Sequence, residues 1–280
     1  MKINNIIENV KVVYVHPTTT IREALQTMVK SNIRRIAVVD AGTHRVEGVL
    51  SSVDIVDFMG GGPKYNLVRE KHNRNLYAAI NEPVKTIMAQ DPVVIKEGAK
   101  LKEVLKIFNE KHIGGAPVVD KDNKLISMIT ERTILINTKD KLDENKLVKD
   151  YMAKNPVVAT AGERIKDVAR TMIRNEFRRL PVIKEGKLIG KITSKDFIDF
   201  LGSDKVFEKL KTGNIRELTN MRAEELVGER SNPTVNPNTN LVQCVEIMEK
   251  YNTWALPVVE NDNLVGIISE KDIVNTLNEQ

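Results

Sequence analysis

Residues 254–274 read Trp254-Ala-Leu-Pro-Val-Val-Glu260, then Asn-Asp-Asn263, then Leu264-Val-Gly-Ile-Ile-Ser269, then Glu-Lys-Asp272-Ile-Val274. Two apolar runs around a short polar turn form a hairpin pattern. Ser269-x-x-Asp272 follows at once and places a hydroxyl and a carboxylate three residues apart where a helix begins. Working outward, the same order recurs three more times. The first apolar runs are Ile36-Ala-Val-Val39, Ala116-Pro-Val-Val119 and Leu180-Pro-Val-Ile183, and the closing motifs are Ser51-Ser-Val-Asp54, Thr130-Glu-Arg-Thr133 and Thr193-Ser-Lys-Asp196. Upstream of each hairpin, apolar residues fall on one helix face: Ile21, Leu25, Met28; Leu101, Leu105, Phe108; Ile165, Ala169, Met172; Leu241, Val245, Met248. With a short β-like run before that helix, each unit is a βαββα module.

The expected fold class is therefore α+β, with four tandem repeats packed as two pseudo-two-fold pairs, the pairs closing into a disc-like assembly. Thr27–Arg35 and Thr171–Arg179 match closely in residue type, so a two-repeat module reads as duplicated. The boundaries expected are repeat 1 over 1–62, a linker helix over 63–82, repeat 2 over 83–139, repeat 3 with its preceding linker over 140–202, linker helices over 203–222, and repeat 4 over 223–280. The run Gly60-Gly-Gly-Pro63 reads as a flexible linker. The copies are too long and unevenly spaced for a solenoid. Four units this small must share cores rather than stand alone.

Composition narrows the function. The lone cysteine, Cys244, excludes an internal disulfide and fits a reducing compartment, and no apolar stretch approaches bilayer length, so a cytoplasmic protein with no membrane partner is expected. The four histidines are scattered and the cysteine has no companion, so no metal-ligand spacing arises. No phosphate-cradling glycine loop, nucleophile elbow or kinase signature set is present, so no enzyme and no catalytic cofactor are expected. The chain carries 43 basic and 38 acidic residues, interleaved throughout. Stacking aromatics do not accompany the basic residues, which argues against a nucleic-acid platform.

The chemistry that remains lies in the closing motifs. Ser or Thr with a carboxylate three residues on is close to a capping box, which would stabilise a helix start with no ligand at all. Three copies carry the shorter Asp, however, and a short carboxylate at the mouth of a strand-to-helix turn can accept hydrogen bonds from the two hydroxyls of a ribose. Arg34-Arg35 and Arg178-Arg179 stand immediately before the hairpins of the odd repeats, and arginine suits bidentate phosphate recognition. Lys195 and Lys271 precede the aspartates of repeats 3 and 4. Adjacent residues at the start of a strand point to opposite faces, so at most one arginine of each pair faces a given cleft. A carboxylate for ribose and cations for phosphate together describe a nucleotide.

These repeats resemble CBS (cystathionine beta-synthase) domains, paired as two Bateman modules over almost the whole chain. Four of them in one bare polypeptide most resemble the gamma subunit of AMP-activated protein kinase and its archaeal relatives. The resemblance implies a non-catalytic sensor that binds AMP, ADP or ATP in clefts between paired repeats and passes occupancy to a regulated partner. It implies Asp54, Asp196 and Asp272 as ribose ligands. Ser51, Thr193 and Ser269 are then hydroxyl partners, and Arg34, Arg35, Arg178, Arg179, Lys195 and Lys271 phosphate ligands. Thr133 replaces the aspartate of repeat 2, so that cleft is expected empty or weak. Gly114-Gly115 and Trp254-Ala255 replace the basic pair in the even repeats, whose phosphates must then borrow cations from elsewhere. An S-adenosylmethionine or other adenosyl-ligand sensor is the alternative, with a nucleic-acid-binding CBS protein behind it. The partner is unidentified, a kinase by analogy only, and the chain is expected as a monomer or homodimer.

Overall fold

The computed structural model describes residues 1–203, 205–227 and 232–279. Each repeat is built on an antiparallel hairpin: Arg35–Val39 with Val46–Ser51, Gly115–Val119 with Leu125–Thr130, Arg179–Lys184 with Lys187–Thr193, and Ala255–Glu260 with Asn263–Ser269. All four carry a register shift at the same place, after Val38, Val118, Val182 and Val258. A bulge there adds twist and aims the second strand at the following helix. In the turns of repeats 3 and 4, Glu185-Gly186 and Asn261-Asp262 both take positive φ, the backbone that matches hairpin twist. A short parallel strand joins the sheet in repeats 1 to 3, at Tyr14–Val15, Ile95–Lys96 and Ala159–Thr160.

The helices Ile21–Lys30, Leu101–Glu110, Ile165–Arg174 and Leu241–Lys250 bury the faces their periodicity marks. All four stop alike: Asn32, His112, Glu176 and Asn252 adopt left-handed φ between 47° and 56°. The next N–H reaches five residues back, as in Ile33 to Met28 O at 3.0 Å and Phe177 to Met172 O at 2.8 Å. This closure satisfies helix-end carbonyls and turns the chain sharply into the hairpin.

The opening segments are exchanged between neighbouring repeats. Ala89–Gln90, which begins repeat 2 in sequence, pairs with the Val46–Ser51 strand of repeat 1. Residues 1–7 lie instead on repeat 2. Ala153–Lys154 pairs with the Asn263–Ser269 strand of repeat 4, and residues 221–224 lie on repeat 3. The first N–H of a helix has no partner within the helix. Here the exchanged segment supplies one each time: Ile21 to Glu82 O at 2.9 Å, Leu101 to Met1 O at 2.9 Å, Ile165 to Met221 O at 2.9 Å and Leu241 to Lys146 O at 3.0 Å.

Exchange ties repeats 1 to 2 and 3 to 4, but the large cores run the other way. One core joins repeats 1 and 3 through Leu25, Met28, Phe58, Ala169, Met172 and Phe197. The other joins repeats 2 and 4 through Leu105, Phe108, Val245, Met248 and Trp254, together with Ile3, Ile6 and Ile7. The Gly60–Gly62 segment is not the flexible linker expected from its composition. Gly60 and Gly61 are buried, and the Asp57–Gly61 turn packs on the Ile165–Arg174 helix of repeat 3. Glycine is required there for close approach, and Gly60 also takes φ 113°.

Candidate functional site

Four clefts open at equivalent places, one beside each closing motif. The cleft at Asp54 measures about 610 Å³, that at Asp272 about 510 Å³, that at Asp196 about 210 Å³ and that at Thr133 about 130 Å³. The residue at each helix stop, Asn32, His112, Glu176 or Asn252, lines at least one of them. The left-handed turn that ends a helix thus shapes a cleft wall. Asp91-Pro92-Val93 and Asn155-Pro156-Val157 form corresponding walls at the Asp54 and Asp272 clefts.

The motif aspartates do both things the sequence leaves open. Oδ2 of Asp54 accepts the Ser51 N–H at 2.6 Å and the Ser51 hydroxyl at 2.7 Å. Asp196 holds Thr193 at 2.6 and 3.0 Å, and Asp272 holds Ser269 at 2.8 and 2.6 Å. One oxygen therefore caps the helix. Oδ1 of Asp272 makes no hydrogen bond among the described residues, while Oδ1 of Asp54 is held by the Lys64 ammonium. In repeat 2 the geometry differs: the Thr133 N–H donates to Thr130 Oγ1 at 3.1 Å, and the two threonine hydroxyls lie 2.8 Å apart.

The arginine pairs diverge as the strand geometry requires. Arg34 of repeat 1 crosses to Glu270 of repeat 4, Nη2 to Oε1 at 2.5 Å, and Arg178 of repeat 3 crosses to Glu131 of repeat 2 at 3.0 Å. Their neighbours turn to the repeat next in sequence: Arg35 donates to Gly114 O at 2.9 Å and Arg179 to Trp254 O at 2.9 Å. Arg179 also lies 3.9 Å from Glu270. Arg132 stacks its guanidinium 4.5 Å from the centre of the Trp254 ring. Five arginines and two buried glutamates thus occupy the middle of the molecule, with a local excess of positive charge.

The electrostatics follow from that crowding. Burial, then repulsion from Arg178 and Arg34, pushes Arg35 down to about 9 from its ordinary 12.5. Burial and Arg34 push Arg132 down to about 10. For Glu270 burial raises the value, but Arg34, Arg179 and Arg132 together outweigh it and hold the carboxyl below its ordinary 4.5. Five guanidiniums face two carboxylates, so the excess charge of the cluster is only partly offset.

Every sequence-marked residue lies at a cleft or in this cluster. Ser51, Asp54, Arg35 and Arg178 line the first large cleft, and Ser269, Lys271, Asp272, Arg178 and Arg179 the second. Thr193, Lys195 and Asp196 meet Arg34, Arg132, Arg178 and Arg179 in the third, where the Lys195 ammonium is engaged by Asp199 at 2.6 Å. The Asp272 cleft draws its arginines from repeat 3, compensating for Trp254-Ala255 in repeat 4. Sequence reading passed over Glu131, Glu270 and Arg132. The second motif position does alternate Ser52, Glu131, Ser194, Glu270 along the chain, and that alternation was the available signal. In the structure Ser52 and Ser194 meet at 2.7 Å between the odd repeats, and both glutamates are buried.

Among the described residues no group of His, Cys, Asp and Glu could hold a metal ion, and no helix is long and apolar enough to cross a membrane. A family model for the CBS domain matches residues 7–61, 84–138, 148–203 and 223–279. Protein MJ1225 of Methanocaldococcus jannaschii is 52% identical over 275 residues, 98% of each chain. Its crystal structure, described as that of a proposed archaeal homolog of g-AMPK, superimposes with a TM-score of 0.93 over 99% of this chain and 100% of that one, at 51% identity. A 33.4 kDa protein in a ribosomal RNA operon of Thermofilum pendens is 26% identical over 93% of this chain and 86% of its own. A conserved Pyrococcus horikoshii protein shares the fold at 18% identity and a TM-score of 0.58, covering 99% of this chain and 100% of its own. The chain belongs to the CBS-domain family, with four repeats in two tandem pairs and a gamma-AMPK-like fold.

Proposed function

We propose that this protein is a non-catalytic sensor of adenine nucleotides, AMP, ADP or ATP, that reports occupancy to a regulated partner through the shared arginine cluster. The observation that carries this reading is the Asp272 cleft. A capping carboxylate with one unengaged oxygen sits at the edge of a cavity of about 510 Å³ whose lining also includes Arg178 and Arg179. That volume lies within the range of small-molecule sites, about 300–1,000 Å³. The free oxygen suits a ribose diol, the guanidiniums suit phosphate, and Pro156, Val157 and Ile267 give an apolar wall for a base. Because Arg178 lines three clefts and Arg34 two, phosphates in different clefts draw on the same guanidiniums. Occupancy of one cleft then alters another, and the Arg34–Glu270 and Arg178–Glu131 bridges that span the two repeat pairs shift with it.

Calorimetric titration with AMP tests the reading. Asp272→Ala is expected to lose about 1–3 kcal/mol of binding at its cleft, the cost of unpaired buried hydroxyls, with Thr133→Ala unchanged. Equal affinities for wild type and Asp272→Ala would reject it. One observation favours a different adenosyl ligand at a different cleft. The Asp54 lining holds Asp54, Asp57, Asp91 and Glu176, an acidic surround suited to the sulfonium and ammonium of S-adenosylmethionine. Competition between the two ligands in the same titration separates them.

A further inference from the structure

The cleft of repeat 2 was expected to be empty or weak because Thr133 stands where a ribose carboxylate would be. Its geometry gives it another use. We propose that it is a site for a small tetrahedral oxyanion of the inorganic phosphate class, distinct from the nucleotide clefts.

Size is the first argument: at about 130 Å³ it is the smallest of the four clefts, against about 510 and 610 Å³ at Asp272 and Asp54. Charge is the second. Lys11, Arg34, Arg35 and Arg132 all line it and no acidic residue does, whereas each of the other three linings holds at least two. The third is an unused donor set. The Arg132 guanidinium makes no hydrogen bond among the described residues, and its Nε is buried without a partner. Stacking on Trp254 holds it in place. Buried donors without partners are costly, and an oxyanion supplies acceptors in the fork geometry that arginine presents. The fourth is the motif itself. In the other repeats the N-cap N–H is taken by the aspartate carboxylate, and at Thr130 no carboxylate is there to take it. Burial and mutual repulsion oppose the charges on Arg35 and Arg132, and a bound dianion relieves that repulsion.

Two sources could deliver the phosphate, free orthophosphate or the terminal phosphate of a nucleotide in the adjoining Asp196 cleft, since Arg34 and Arg132 line both. The test titrates sodium orthophosphate into the intact chain, freed of phosphate by dialysis, with and without saturating AMP, followed by calorimetry and ³¹P line width. A single orthophosphate is expected to bind in the presence of AMP. Thr133→Asp, which restores the cap the other repeats use, is expected to weaken it by about tenfold or more through like-charge repulsion, and Arg132→Gln similarly. Retention in Asp196→Ala assigns the site to free phosphate. Its loss in that variant, with binding of an ATP terminal phosphate sensitive to Thr133→Asp in the wild-type background, assigns it to the neighbouring nucleotide. No orthophosphate uptake together with no effect of Thr133→Asp on ATP overturns the proposal. So does uptake that AMP displaces completely and Thr133→Asp leaves unchanged. If AMP itself fails to bind, the comparison of wild type with Thr133→Asp in orthophosphate alone still decides, independently of the nucleotide reading.

Discussion

Gly61 has no room for a methyl group. A Cβ built there would lie 2.5 Å from Ile173 Cγ1, 2.8 Å from the Val56 carbonyl oxygen and 2.9 Å from that of Ala169. Side-chain atoms can rotate away, but two backbone oxygens in packed helices cannot. Gly61→Ala is therefore expected to destabilise by about 1–3 kcal/mol, as overpacking does, seen as a lower urea midpoint with an unchanged slope. Gly162→Ala, where nothing lies within 4 Å of the added carbon, is the control and should stay within about 0.5 kcal/mol of wild type. Lys64 matters at the same scale. Its ammonium occupies the Asp54 oxygen that the proposed ribose contact calls for, so on that proposal a ligand first displaces it. Lys64→Ala in an Asp196→Ala, Asp272→Ala background should tighten adenosine binding several-fold, and weaker binding would show that Lys64 contacts the ligand instead.

At the scale of elements, the left-handed stops of the four long helices recur with little variation, while their N-caps differ, Thr20, Lys100, Arg164 and Asn240. Thr20 and Glu23 form a reciprocal box, with the Thr20 N–H on Glu23 Oε2 at 3.0 Å and the Glu23 N–H on Thr20 Oγ1 at 3.2 Å. Thr20→Ala should cost about 1 kcal/mol in thermal or chemical melts. These elements were legible because their signals are local. Periodicity marked the helix faces, turn residues marked the hairpins, and Ser/Thr-x-x-Asp marked the final helix starts. The common bulge was not legible, since Val38-Val39 and Val258-Val259 look like any buried strand. Gly60–Gly62 misled for a related reason: glycine is chosen equally by loose chain and by tight contact, and only the Ile165–Arg174 helix, over a hundred residues away, distinguishes them. The motif aspartates, expected as ribose ligands, line clefts and also cap their helices, so a structural and a proposed binding reading of one carboxylate need not compete.

Across the whole molecule, the decisive interactions join residues with no sequence relationship. Arg34 meets Glu270 across 236 positions, and no local pattern announces it. Removing Glu270 would leave Arg34, Arg132 and Arg179 facing one another, so Glu270→Ala should destabilise by about 3–5 kcal/mol, the range for breaking a buried ion pair. A double-mutant cycle with Arg34→Ala measures the coupling. Because the Glu270 carboxyl is held below its ordinary 4.5, the unfolded chain binds its proton first as pH falls. Its contribution is fully present above pH 4.5 and is lost as acid carries the solution through the folded value. Glu270→Gln should flatten that part of the stability profile, and an unchanged acid limb would show that other carboxylates govern it.

The swapped opening segments dictate how this chain can be divided. Severing it at the borders of its sequence repeats would strip each unit of the strip that covers its neighbour and orphan the amide at the head of each long helix. A fragment spanning repeats 1 and 2 keeps both halves of a reciprocal trade, yet it bares the helix faces that repeats 3 and 4 cover and so needs a second copy to bury them. One spanning repeats 2 and 3 keeps neither, and would be driven to borrow the missing strips from another molecule.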